Sequence, residues 1–305
     1  MNKALTLTPW QYATPHGFTL RGWHSPPSGK PLLHFLHGNS FCGRVYSPML
    51  QVLSHHFDLW LCDVQGHGDS DLGGTFKGWN VNAEQAAAAL TQHLPLFGDV
   101  PRFAAGHSFG GVLTGLILAE HPHLFQRAVL LDPVIFPPGL AFAADVAQTV
   151  GMSRFAPLAR AARQRRQHWP SREAAMDALR GRGTYKGWVP EALHAFAEHA
   201  LRPADDGDGV VLKCPPSREA EVFSTVPRGL WSALRKVQTH TLVAYASKTF
   251  PFIEPSAKRW AQHNRHVSLQ RVEGGHCFMQ CTPEMAAHQV EAFCLRRSAI
   301  SRPTP

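Results

Sequence analysis

Short apolar runs alternate with stretches of helical periodicity over most of this chain. Leu32–Leu36, Leu59–Cys62, Phe103–Ala105, Ala128–Leu131, Thr241–Ala246 and Val267–Val272 have the length and burial pattern of interior strands. Between them, Val45–His55, Asn82–His93, Gly111–Glu120, Pro255–His263 and Pro283–Leu295 are expected helices. This alternation predicts an α/β fold with a mostly parallel central sheet and helices on both faces. Trp10–Ala13 and Phe18–His24, on either side of Pro15-His16-Gly17, predict an antiparallel pair at the start of the sheet.

The alternation stops after Asp132-Pro133 and resumes near Thr239. In between lie Pro137-Pro138, an Arg-rich helical stretch (Leu158–Gln167), a helix start after Pro170-Ser171 and another at Pro190. Serine before an acidic first turn and proline at a first helical position are ordinary helix starts. A helical cap inserted between two late strands is therefore expected. The predicted organisation is a core in two parts, residues 1–136 and 237–305, with the cap, or lid, at 137–236. The acidic turn Asp205–Gly209 lacks the remaining ligand positions of a calcium loop and is expected to be a tight turn.

Composition narrows the class. With 44% hydrophobic and 17% charged residues in 305, the chain can bury a large core. It shows no signal-peptide pattern and no apolar run long enough for a membrane span. The six cysteines lack a framework spacing, which suits reduced thiols, and a soluble cytoplasmic protein is expected. Nineteen histidines are scattered rather than clustered, and Cys277-x-x-x-Cys281 has no second pair, so no metal is expected. Of the net charge of +8, six units fall between Gly151 and Arg202, where nine Arg and one Lys face four acids. A solvated helix face is the simplest account of that surplus. No binding motif interleaves aromatic and basic residues, so nucleic acid is not an expected partner.

The most informative residues are Gly106-His107-Ser108-Phe109-Gly110, a G-x-S-x-G pattern between an expected strand and an expected helix. A serine on so tight a turn needs glycine on both sides, because a β-carbon would collide with the neighbouring strand or helix. Ser108 is the candidate nucleophile. A serine hydroxyl is a weak nucleophile and needs a base, itself oriented by a third group. Gly274-Gly275-His276, after the last strand and before the last helix, makes His276 the candidate base. His37-Gly38-Asn39-Ser40 follows the strand Leu32–Leu36 and is the candidate oxyanion turn. The Phe109 backbone N–H would be one donor, and an N–H in the Asn39, Ser40, Phe41 turn the other.

With His37-Gly38-Asn39, Asp63-Val-Gln-Gly66-His67-Gly68-Asp-Ser70, Gly106-His-Ser-Phe-Gly110 and Gly275-His276 in order, the chain resembles the α/β-hydrolase superfamily. The resemblance covers all but the cap. It implies hydrolysis through a covalent acyl-enzyme without a cofactor, on a small-molecule acyl substrate, and an architectural role for the Asp63–Ser70 turn.

The resemblance leaves the acid of the triad open. Most relatives carry it just past the strand that here is Thr239–Ala246, but this sequence continues Ser247-Lys248-Thr249-Phe250-Pro251, and Glu254 is the only carboxylate nearby. Other members place it one strand earlier, where Asp132 ends Ala128–Leu131. Asp132 is favoured because a carboxylate directly after a strand is held more rigidly.

The expected activity is that of an esterase-like serine hydrolase acting on an ester, thioester or related acyl compound. Acyl transfer, carbon–carbon hydrolysis and perhydrolysis are open within the same site. Haloalkane dehalogenases share the HGN turn, but they and the epoxide hydrolases use an aspartate nucleophile. The alkyl ether that Ser108 would form cannot be released as their ester is. A fold member that has lost its acid would instead be a non-catalytic binding protein. Expected pocket residues are Phe41, Phe250 and the cap aromatics Tyr185 and Trp188, with Trp169, Phe196 and Phe223 as further candidates.

Overall fold

The computed structural model describes residues 5–139 and 157–296. The chain ends and the part of the expected cap at 140–156 lie outside them. Eight strands form the central sheet: β1 (Thr8–Ala13), β2 (Thr19–His24), β3 (Leu32–Leu36), β4 (Asp58–Asp63), β5 (Arg102–His107), β6 (Arg127–Leu131), and, after three short strands described below, β10 (His240–Lys248) and β11 (Val267–Gly275). Their order is β1-β2-β4-β3-β5-β6-β10-β11. The first two strands pair antiparallel, β2 pairs antiparallel with β4, and every later pairing is parallel.

Side chains alternate between two cores as strand geometry requires. Leu33, Phe35, Leu59, Leu61, Val129 and Leu131 face the helices Ser47–Leu53 and Pro283–Cys294. Leu32, Leu36, Trp60, Ala128 and Leu130 face Trp79–His93, Phe109–Glu120, Leu230–Lys236 and Ile253–His263.

Register determines where the chemistry gathers. Leu36 lies opposite Gly106, His107 opposite Leu131, and Leu131 opposite Ala244, so the C-terminal ends of β3, β5, β6 and β10 share one edge. The chain leaves β3 toward β4 and returns to the other side of β3 as β5, which opens a crevice at that edge.

The segment between β6 and β10 is not purely helical. It carries helices Pro157–Arg163, Arg172–Leu179, Pro190–His199 and Pro216–Phe223, together with a small antiparallel sheet in the order β7 (His168–Trp169), β9 (Val210–Leu212), β8 (Leu201–Pro203). Ser171 Oγ accepts from the Ala174 N–H as an N-cap, and Pro190 occupies the first turn of its helix. The Asp205–Gly209 stretch is the tight turn between β8 and β9, with Gly207 and Gly209 at φ 79° and 80°. The Arg-rich helix ends at Arg163 rather than at Gln167, which frees Arg165 to turn inward. Leu230–Lys236 packs on Phe109–Glu120 of the sheet layer, where the Trp260 indole N–H donates to Leu234 O at 2.8 Å.

Candidate active site

Ser108 stands alone between β5 and its helix at φ 54° and ψ −113°, a conformation that L-residues adopt only under constraint. The constraint is visible on both sides. A β-carbon on Gly106 would lie 2.4 Å from Gly110 O, and one on Gly110 would lie 2.3 Å from Leu36 O. Helix and strand can approach this closely only over bare backbone. The Ser108 N–H is held by Leu131 O at 3.0 Å, so the turn is tied to β6 as well.

His276 follows β11, and its Nε2 lies 2.8 Å from Ser108 Oγ. Its Nδ1 lies 2.6 Å from Asp132 Oδ2. A carboxylate there can only accept, so Nδ1 carries the proton and Nε2 is left to accept from the serine hydroxyl. Asp132 is fully buried and sits at φ 45° at the end of β6. Its Oδ1 accepts from the Ala246 N–H at 2.8 Å, and its Oδ2 accepts from the Thr249 hydroxyl. Thr249 was not singled out from the sequence, although it stands where most relatives keep their acid. Glu254 is not the partner of His276: it lies in the first turn of Ile253–His263 and pairs with Lys258 at 2.7 Å on the surface.

Behind the imidazole, the His107 Nε2–H donates to His276 O at 3.0 Å, and the Tyr46 hydroxyl donates to His107 Nδ1 at 2.7 Å. Burial pushes His107 well below the usual imidazole range, which keeps it neutral and fits this one-donor, one-acceptor pattern. Cys277, next to His276, also lines the cavity. Burial raises its thiol to about 12, so it does not compete as a nucleophile.

Of the three N–H groups in the turn after β3, the structure directs two elsewhere. The Phe41 N–H donates to Gly38 O at 3.2 Å, and the Ser40 N–H faces the Cys214 thiol. The expectation for Ser40 as a backbone donor is thereby corrected. Gly38 O also accepts from His37 Nδ1–H at 2.8 Å. In a trans peptide the N–H points opposite the carbonyl, so the Asn39 N–H is directed away from the bonds that Gly38 O accepts. It has no acceptor among the described residues, and neither has the Phe109 N–H, which lies in the first turn of its helix, where no intrahelical acceptor exists. The Asp63–Ser70 turn supports this region from below: Asp63 accepts from the Gly43 N–H at 2.8 Å and the Asp69 N–H at 3.1 Å.

Ser108 opens into a cavity of about 260 Å³ lined by Phe41, Phe223 and Phe250 as expected, and by Trp79, Val134, Phe136, Leu158, Val222 and Phe252. Trp79 and Leu158 sit at helix starts, Val134, Phe136 and Phe252 in loops after strands, and Val222 near the end of its helix, where the apolar pattern does not tell a cavity wall from core. An arc of ring contacts runs from Phe109 through Trp79, Phe136, Phe252 and Phe250 to His276. Tyr185 and Trp188 do not line this cavity. With Phe196 they form an edge-to-face cluster that packs the inserted segment, since aromatic rings of that size fill its interior better than a solvent-facing wall. Trp169 is likewise buried away from it.

Residues 35–291 match the family profile described as "Alpha/beta hydrolase family". The chain belongs to that family. Among curated proteins it is similar to a type I acyl-CoA thioesterase of Penicillium roqueforti, with 26% identity over 59% of this chain and 42% of that protein. It is also similar to the lipase LipV of Mycobacterium tuberculosis, with 32% identity over 36% of this chain and 40% of that one. The chain thus spans about two fifths of the length of these relatives. Solved structures with the same fold include E-2-(acetamidomethylene)succinate hydrolase (TM-score 0.73, 21% identity, 94% of this chain and 99% of that one). A peroxisomal alpha-beta-hydrolase of Saccharomyces cerevisiae superposes with TM-score 0.74 at 16% identity, over 98% of this chain and 92% of that one. Among the described residues, no helix is long and apolar enough to cross a membrane.

Proposed function

We propose that this α/β hydrolase cleaves a carboxylic ester or thioester with an uncharged, largely apolar acyl group, through an acyl-enzyme on Ser108. The observation that carries the reading is the chain Ser108 Oγ, His276 Nε2, His276 Nδ1, Asp132 Oδ2, with links of 2.8 and 2.6 Å and its last member fully buried. Ser108 attacks the acyl carbon while His276 takes its proton, and Asp132 stabilises the imidazolium that forms. The Phe109 and Asn39 N–H groups receive the negative oxygen of the tetrahedral intermediate. His276 then protonates the leaving alcohol or thiol. Water attacks the acyl-enzyme by the same steps in reverse, which returns Ser108.

The cavity supports the substrate class. A 150 Å³ apolar cavity accepts benzene, so about 260 Å³ admits a ring with a few further carbons, roughly eight to ten non-hydrogen atoms. Its charged lining residues Arg165 and Glu219 neutralise each other at 2.8 Å, which favours an acyl group without charge. The similarity to an acyl-CoA thioesterase supports testing thioesters beside oxygen esters. The inserted segment acts in this reading as the lid that chooses the substrate, since Leu158, Val222 and Phe223 belong to it.

A fluorophosphonate probe tests the nucleophile: Ser108 should label rapidly, and Ser108→Ala not at all. A series of p-nitrophenyl esters and acyl thioesters of rising chain length, with Ser108→Ala as the blank, tests the substrate. Equal turnover by Ser108→Ala would refute the reading.

A further inference from the structure

The turn that carries the Asn39 N–H is not held by the sheet alone. Ser40 has φ 65°, a left-handed conformation that costs an L-residue roughly 1 kcal/mol or more and relaxes unless the surroundings oppose it. Two bonds from the inserted segment meet this turn. Arg165 Nη1 donates to Ser40 Oγ at 3.0 Å, and Asn39 Nδ2 donates to Glu219 O at 3.2 Å. The two anchors are joined to each other, because the same Arg165 Nη1 also donates to Glu219 Oε2 at 2.8 Å. Tyr185 completes the clamp by accepting from Arg165 Nη2. The pair is largely buried, with side-chain exposures of 19% for Arg165 and 11% for Glu219. A buried ion pair contributes little net stability compared with apolar residues of the same volume, so its value here lies in what it holds in place.

We propose that Arg165 and Glu219 are positioning residues that clamp the Asn39–Ser40 turn and keep the Asn39 N–H aimed at the oxyanion. The inference rests on the acyl-enzyme reading above. It makes the inserted segment part of the catalytic assembly as well as a wall of the pocket. The clamp acts on a donor whose bond strengthens in the transition state, so its loss lowers kcat and leaves ground-state binding nearly unchanged. Loss of one oxyanion donor outright lowers kcat about 10²- to 10³-fold; a loosened donor should cost roughly 10- to 100-fold. Lysine cannot reproduce the fork that reaches Ser40, Glu219 and Tyr185 together, so Arg165→Lys should restore only part of the loss.

The test compares wild type, Arg165→Met, Arg165→Lys, Glu219→Gln, Ser40→Ala and the double variant Arg165→Met/Ser40→Ala on one p-nitrophenyl ester, with Ser108→Ala alongside. Expected are a roughly 10- to 100-fold lower kcat for Arg165→Met with KM within about threefold, and a matching loss of affinity for a trifluoromethyl ketone, which forms a tetrahedral adduct. Affinity for the carboxylic acid product should hold. Ser40→Ala should show the same signature more weakly, and the double variant should lose less than the product of the single losses. Unchanged kcat in folded Arg165→Met, or KM and product affinity that worsen in step with kcat, overturns the clamp. If Arg165→Met does not fold, Ser40→Ala decides by the same criteria. Inert Ser108→Ala with fully active clamp variants refutes the clamp alone, whereas active Ser108→Ala refutes the acyl-enzyme reading and the clamp with it.

Discussion

Thr249, just past the end of β10, donates its hydroxyl to Oδ2 of Asp132 at the end of β6, the same oxygen that meets His276 Nδ1. The two strands thus share the work that most relatives give to one: β6 supplies the carboxylate, and β10 supplies the Ala246 N–H and Thr249 O–H that hold it. Three donors on one buried carboxylate fix its direction toward the imidazole.

Asp132→Asn should keep the fold and lower kcat by about 10⁴-fold, because an amide can offer its N–H to the imidazole and leave the wrong nitrogen protonated. Glu254→Gln should change kcat by less than about twofold, since Glu254 pairs with Lys258 at the surface and does not touch His276. Steady-state kinetics on one ester decides between them, and a crippled Glu254→Gln with an active Asp132→Asn would reverse the assignment.

Thr249→Val removes one donor and nearly no volume. A hydrogen bond to a charged group contributes about 1.5–3 kcal/mol, so kcat should fall by roughly 10- to 100-fold with KM little changed. Thr249→Ser should recover most of it. Wild-type kcat in Thr249→Val would mean that the Ala246 N–H and His276 suffice.

Gly110→Ala should destabilise the protein by about 3 kcal/mol, because the added methyl meets Leu36 O and His37 O, which are backbone and cannot swing away. Gly139→Ala, where nothing among the described residues lies within 4 Å, is the control. Urea unfolding of both measures the difference.

Acid should destabilise the fold through its buried histidines. Burial lowers His34 from 6.5 to about 3 and His37 from 6.5 to about 4, and it also holds His67 and His107 well below the usual range. Below about pH 6.5 the unfolded chain takes up protons that the folded chain refuses. Stability is therefore full above that pH and falls as pH drops toward 4, by about 1.4 kcal/mol per unit for each histidine. Asp63, raised by burial from 3.8 to about 7, acts in the opposite sense and offsets one of them. His34 has no hydrogen-bond partner for either ring nitrogen among the described residues and stacks on Phe125. In His34→Leu the stability lost between pH 8 and pH 5 should shrink by about 2 kcal/mol, as read by urea unfolding at the two pH values. An unchanged loss would show that His34 titrates normally.

Much of the framework could be read from the chain alone because its signals are local. Strand and helix periods depend on neighbouring residues, and so does Gly106 before Ser108, where the collision it avoids lies four residues away in Gly110. The antiparallel start, the parallel sheet and the helix starts at Ser171 and Pro190 follow from the same short-range rules.

What the local pattern left open depends on residues far apart in sequence. The sequence favours Asp132 over Glu254 only by its place directly after a strand; the contact itself exists because strand register brings β6 beside β10 and leaves Glu254 paired with Lys258 on the surface. Tyr185 and Trp188 have the composition of pocket residues, but only packing shows that they fill the inserted segment while Trp79, Phe136 and Phe252 wall the cavity. The choice among the Asn39, Ser40 and Phe41 N–H groups is a matter of peptide orientation, set by partners at Gly38 and Cys214. Arg165 reaches Ser40 across 125 positions of sequence, a contact that no periodicity encodes. Short-range sterics and hydrophobic alternation thus determine the elements and the nucleophile's turn, whereas side-chain partners and cavity walls arise only when the sheet edge and the inserted segment are packed together.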